Sequence, residues 1–124
     1  MKKYILPISH KDKRGVIIDL LEKENINAVT YISFNKGSVR GNHFHKKTIQ
    51  WGFVVSGELL VKSKKRKSKI TQMKVKKGDL FLDEKMESHA IKAIKKSQVL
   101  FFTAGPRGGK EYESDTFHLK EPLI

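Results

Sequence analysis

The sequence contains no cysteine. Disulfides, thiolate nucleophiles and cysteine-ligated metals are therefore excluded. It also lacks any apolar run near the roughly 18 residues that suggest a membrane span. The opening stretch MKKYILPISHKDKRG is basic with a short apolar run. It has neither the longer apolar core nor the small-residue cleavage site of a secretory leader. A cytoplasmic location with no membrane partner is the expectation. Arginine is scarce too: Arg14, Arg40, Arg66 and Arg107 are the only ones among 26 Lys and Arg residues. That scarcity bears on the net charge of +13, which invites a nucleic-acid reading. Arginine is the better residue for forked phosphate and base contacts. The lysines of VKSKKRKSKITQMKVKKGD instead alternate with apolar residues or cluster in turns, as on solvated strand faces and a hairpin tip. Charge alone is non-specific evidence, so nucleic acid is not expected as the partner.

What is present is a string of short β segments. GVIIDL (15–20), AVTYISF (28–34), IQWGFVVS (49–56), ELLVKS (58–63) and KITQMKV (69–75) come first. DLFLD (79–83), HAIKAI (89–94), QVLFFTA (98–104) and DTFHL (115–119) follow. They are rich in Val, Ile, Phe, Tyr and Thr and are bounded by Gly, Asn, Asp, Ser and Lys. IDLLEKENI can form a helical turn or two, and nothing else has sustained helical periodicity. The spacing predicts an all-β sandwich or barrel. A chain of 124 residues without linker or repeat reads as a single domain, 1–124.

Three signals carry no chemistry. AGPRGGKE imitates a phosphate-binding loop, but Ala104 stands for the first glycine and Glu111 for the hydroxyl residue. It reads as a flexible turn. No serine sits in a G-x-S-x-G elbow. The carboxylates of ESD (113–115) read as a solvated pair.

The informative stretch is GSVRGNHFHKKTIQWGFVVSG (37–57). In an extended strand His43 and His45 project from one face. Burying two imidazoles requires partners for each ring nitrogen, so the pair is either solvated or lines a polar cavity. The frame Gly37-x5-His43-x-His45-x4-Gln50-x6-Gly57 resembles the first motif of the cupin superfamily, with Gln50 where that motif has Glu. Gly78 and His89, ten residues between them, resemble the second motif. Its Pro, second Gly and closing Asn are here Glu84, Met86 and Ala93. The resemblance implies a cupin-type jelly-roll β-barrel. RGNHFHKK (40–47), with DKRG (12–15) and VTYI (29–32), is similar to the metal-independent dTDP-4-keto-6-deoxyglucose 3,4-ketoisomerases and, more distantly, to the dTDP-4-keto-rhamnose 3,5-epimerases.

This resemblance implies an isomerase or epimerase of a nucleotide-linked 4-keto-6-deoxysugar, serving surface polysaccharide or deoxysugar biosynthesis. His43 and His45 would shuttle protons, with His45 favoured as the base. A histidine near its unperturbed pKa of about 6.5 suits both removal and return of a proton at neutral pH. Arg40 would meet the sugar or diphosphate, Tyr31 would offer a phenol, and Gln50 and His89 would orient the sugar or the first two histidines. No cofactor is favoured. The alternative is a divalent transition metal on His43, His45, Gln50 and His89, in a cupin acting on another small molecule. Three imidazoles suit such an ion, whereas the Gln50 amide is a poorer ligand than a carboxylate and the basic chain disfavours a dication. A non-catalytic sugar-binding cupin is the third reading. His10 and His118 fit no frame and read as surface or structural residues. Trp51, Phe53 and Val55 share one strand face and read as core or dimer interface, and the family implies a homodimer.

Overall fold

Burial alternates along the strands as a two-faced sheet demands. SQVLFFTA alternates between buried and half-buried at every step, and ELLVKSK does so for six residues. In a computed structural model describing residues 1–124, these alternations form the walls of a jelly-roll barrel. The strands are β1 (Lys2–Ile5), β2 (His10–Asp12), β3 (Gly15–Ile17), β4 (Ala28–Phe34), β5 (Val39–Phe44) and β6 (Ile49–Ser56). They continue with β7 (Glu58–Lys64), β8 (Thr71–Lys76), β9 (Asp79–Asp83), β10 (Ser88–Ala93) and β11 (Ser97–Ala104). Helix α1 (Gly109–Ser114) precedes β12 (Phe117–His118). One sheet runs β1-β9-β6-β11-β4, the other β12-β5-β10-β7-β8, and β2-β3 is a separate hairpin. Every pairing is antiparallel.

Phe34, Val54, Leu59, Val61, Val75, Phe81, Ile91, Ala93, Val99 and Phe101 form the buried core. Register makes the interior change from apolar to polar along the strands. In the first sheet Phe81, Gly52 and Phe101 lie in one row, and two residues along lies the row Asp83, Gln50, Thr103. In the second sheet Ile91, Val61 and Met73 share a row, and two residues along lies His118, His43, His89, Ser63, Thr71. Gly52 leaves room for aromatic packing: a Cβ there would stand 2.3 Å from the Phe81 ring. That ring packs edge-on against Phe101 at 5.9 Å. Gly57 makes the β6–β7 turn with φ of 93° and lies too close to Ser97 for any side chain.

The opposite faces of the two sheets differ. On the first, the row Tyr4, Leu80, Phe53, Leu100, Tyr31 runs beside Leu82, Trp51, Phe102, Val29. The exposed side chains include Tyr4, Val29 and Tyr31. On the second, Lys62, Lys64, Lys74, Lys76 and Lys92 occupy the face turned from the core, which is the solvated lysine face expected from the alternation.

The elements differ from the sequence expectation at several points. IDLLEKENI is irregular; Lys23 has φ of 56°, which stops a helix too short to stand alone. The strand expected at 15–20 ends at Ile17. Strands β1, β2 and β5 are not among the predicted segments, because KKYI, HKD and VRGNHF lack the β-branched alternation of the others. The stretch after Gly105, read as a flexible turn, continues into α1. No helix is long and apolar enough to cross a membrane.

Candidate active site

The polar rows of the two sheets enclose a cavity of about 450 Å³. Its lining includes His43, His89, His118, Gln50, Asp83, Arg40, Arg107 and Tyr112. His43 faces His89 across β5 and β10, beside a bulge at His89/Ala90. Gly41 permits that bulge: its φ is 94°, and a Cβ there would press on the His89 carbonyl at 2.9 Å. The His43 ring lies 4.8 Å from that of His45, 4.7 Å from His89 and 6.0 Å from His118. One ring nitrogen from each of His43, His45 and His89 falls within 4.8 Å of the others.

His45 does not itself line the cavity; it is buried against His43 and Tyr112, which do. Its Nδ1 lies 2.8 Å from the backbone carbonyl of Asp115. A carbonyl only accepts, so Nδ1 carries the proton and Nε2 presents its lone pair. Nε2 has no hydrogen-bond partner within the protein. Burial pulls the His45 pKa down, the Asp115 carbonyl partly offsets this, and His89 deepens it. His43 is pushed to about 3, first by burial and then by its neighbours His89, His45 and His118. Both are neutral imidazoles at physiological pH, the form that accepts a proton or a metal.

Asp115 corrects the reading of ESD as a solvated pair. It is buried, and its carboxylate accepts hydrogen bonds from the Lys46 and Lys47 N–H groups and, at 2.7 Å, from the Thr48 hydroxyl. Burial alone would raise its pKa; the bonds from Thr48, Lys47 and Lys46 bring it below the ordinary value. Asp115 therefore fixes the loop after β5 while its carbonyl orients His45. Asp83 has the reverse character. It lies beside Gln50 in register, and neither carboxylate oxygen has a partner within the protein. Burial raises its pKa, with an opposing pull from His89.

Gln50 and His89 stand where the frame put them, buried at the cavity wall. Arg40 lines the cavity, its guanidinium over the Phe34 ring at 5.3 Å and donating to the Ser33 carbonyl at 3.3 Å. It has no carboxylate partner among the ion pairs. Tyr31 does not join the site. On β4 it alternates with the cavity residues Ile32 and Phe34, so it is exposed on the other face of the sheet. His118, read as a surface or structural residue, lines the cavity. His10 is a surface residue paired with Asp12.

Arg107 and Tyr112 were missed. Arg107 lies over the Tyr112 ring at 4.3 Å, and Tyr112 sits 5.4 Å from His45. Asn27 anchors the start of their segment through two bonds to the Gly105 backbone, at 2.7 and 2.8 Å. The available signal was scarcity: Arg40 and Arg107 are two of only four arginines in the chain, and both line one cavity.

A profile of the polysaccharide biosynthesis C-terminal domain matches residues 10–117. The chain belongs to this family. No curated protein matches it in sequence. Among solved structures it is similar to QdtA, a sugar 3,4-ketoisomerase from Thermoanaerobacterium thermosaccharolyticum bound to TDP, with a TM-score of 0.77 at 17% identity. That match covers 95% of this chain and 88% of QdtA. Against dTDP-4-dehydrorhamnose 3,5-epimerase from Sulfolobus tokodaii the TM-score is 0.71 at 18% identity, over 85% of this chain and 69% of the other. The chain also matches the capsular polysaccharide assembling protein CapF from Staphylococcus aureus, at TM-score 0.69 and 19% identity. There it covers 95% of itself but 33% of CapF. These similarities establish the cupin-type barrel.

Proposed function

We propose that the protein is an isomerase or epimerase of a nucleotide-linked 4-keto-6-deoxysugar, working by histidine proton transfer. The observation that carries this reading is His45: its Nδ1–H is held by the Asp115 carbonyl while Nε2 has no partner within the protein. Fold similarity to a ketoisomerase and an epimerase supports the reaction class. For a 3,4-shift, Nε2 of His45 takes the proton from C3 beside the C4 carbonyl. The C3–H electrons move into a C3–C4 double bond, giving an enediol. Return of the proton to C4 then leaves the carbonyl at C3. His43, 4.8 Å away ring to ring, relays the hydroxyl proton between the two oxygens. Arg40 and Arg107 supply forked donors for the diphosphate. Tyr112 and His118 border the sugar, and Gln50 and His89 orient it by neutral hydrogen bonds. A soluble sugar nucleotide as substrate is consistent with work in the cytoplasm.

The test is turnover of dTDP-4-keto-6-deoxyglucose in deuterium oxide. Deuterium is expected at the carbon next to the product carbonyl, and His45→Gln is expected to lower both turnover and exchange by about 10²–10⁴-fold. An unaltered rate in that variant would overturn the assignment.

A metal reading has one observation in its favour, the closeness of ring nitrogens from His43, His45 and His89. Those three would hold a divalent transition ion, which would supply Lewis acidity. The surroundings fit it less well. Gln50 replaces the carboxylate, burial favours a protonated Asp83, and two arginines line the same cavity. Elemental analysis of untagged protein separates the readings: a stoichiometric metal would favour the second.

The protein also works as a homodimer in this reading. The aromatic face of the sheet β1-β9-β6-β11-β4 is the surface it would bury, with Val29 and Tyr31 exposed on edge strand β4.

A further inference from the structure

A second concavity, of about 620 Å³, lies on the far side of the histidine sheet. Phe44 and Ser88 line it, and each alternates along its strand with a residue of the other cavity, His43 and His89. One wall is the β7–β8 hairpin, with Lys64, Lys65, Arg66, Lys67 and Ile70. The other is the C-terminal strap from Leu119 to Leu123. The strap is held in place. The Leu119 N–H donates to the Asn42 carbonyl at 2.9 Å, and the Leu123 N–H to the Asn42 side-chain oxygen at 2.7 Å. Lys46, Lys64, Lys65, Arg66, Lys67 and Lys120 line the groove against a single acid, Glu121. Just outside it, Glu84 pairs with Lys65 at 3.0 Å.

Three features define the occupant. The charge is strongly positive, so the partner is an anion. The rim carries exposed aliphatic and thioether groups, Ile70 at 54% and Met86 at 46%, which suit hydrocarbon. The aromatic faces are already used: Phe44 stacks on Phe117 at 5.2 Å, and the Lys46 ammonium sits on the Phe117 ring at 4.4 Å. A single-stranded nucleic acid would need free aromatic platforms and favours arginine, whereas a lipid surface attracts lysine and arginine alike.

We propose that this basic groove and hairpin tip dock the protein on an anionic lipid bilayer, phosphate headgroups meeting the lysines and Ile70 and Met86 entering the interface. The histidine cavity opens on the other side of the sheet and stays free. The proposal is independent of the reaction assigned to that cavity.

Co-sedimentation of the full chain with vesicles tests it. Binding is expected to be about tenfold stronger to vesicles with a third phosphatidylglycerol than to pure phosphatidylcholine. Most of that advantage is expected to disappear in about 0.5 M salt, where charges are screened within a few ångströms. Lys64→Glu/Arg66→Glu/Lys67→Glu is expected to abolish the anionic preference with an unchanged melting temperature and unchanged turnover. Ile70→Asp is expected to weaken binding severalfold. Equal binding to both vesicle types, or parental binding by the triple variant, overturns the proposal. So does a single-stranded oligonucleotide that binds more tightly than the anionic vesicles at the same salt, which would assign the groove to nucleic acid.

Discussion

His45 and Asp83 are both buried side chains with partnerless polar atoms, yet protonation acts on them in opposite directions. Burial lowers the histidine and raises the carboxyl, so in each case it favours the neutral form. For His43, whose folded value is about 3, the unfolded chain takes up the proton first as pH falls below about 6.5. Its contribution is full above that value and is lost progressively towards pH 3. Melting curves of His43→Gln are therefore expected to fall less than those of the parent between pH 6.5 and pH 4. For Asp83 the folded state keeps its proton above the ordinary carboxylate value, so its presence weakens the fold as pH rises. Asp83→Asn keeps the shape and is neutral at every pH. It is expected to raise the melting temperature, and by more at pH 8 than at pH 4. At this scale the sequence was legible where a spacing frame existed, as for His43, His45, Gln50 and His89. It was silent for Asp83, Arg107, Tyr112 and His118, which belong to no frame and reach the cavity only through pairing and folding back.

Strand periodicity was the strongest signal among the elements because burial writes it into the residues. Where a strand holds polar chemistry, as β5 does with VRGNHF, the same logic fails, since site residues replace the apolar alternation. Tyr31 shows the cost of a resemblance read without its face. VTYI lies in β4 as expected, but period-two alternation sends the phenol away from the cavity that Ile32 and Phe34 line. The Gly52 position tests packing between elements. Gly52→Ala places a methyl 2.3 Å from the Phe81 ring, which must shift against Phe101. Overpacking of this kind costs about 1–3 kcal/mol. A lower melting temperature is expected from calorimetry.

The whole molecule divides its surface by sheet: aromatic on one outer face, lysine-rich on the other. The aromatic face makes the dimer prediction testable. Val29→Glu/Tyr31→Glu adds two carboxylates where strand β4 is already exposed, so the fold is expected to persist. Sedimentation is expected to show a dimer for the parent and a monomer for the variant. The sequence by itself determined the all-β class, the histidine frame and the exclusion of thiol chemistry, because composition and alternation are local properties. Only the tertiary structure decided which polar groups share a cavity. Antiparallel register set His118, His43 and His89 in one row facing Asp83 and Gln50, and the return of the chain after β11 brought Arg107, Tyr112 and the Asp115 carbonyl to His45. Those neighbours are about 70 residues apart in sequence, and no local pattern encodes a contact made by closing a barrel.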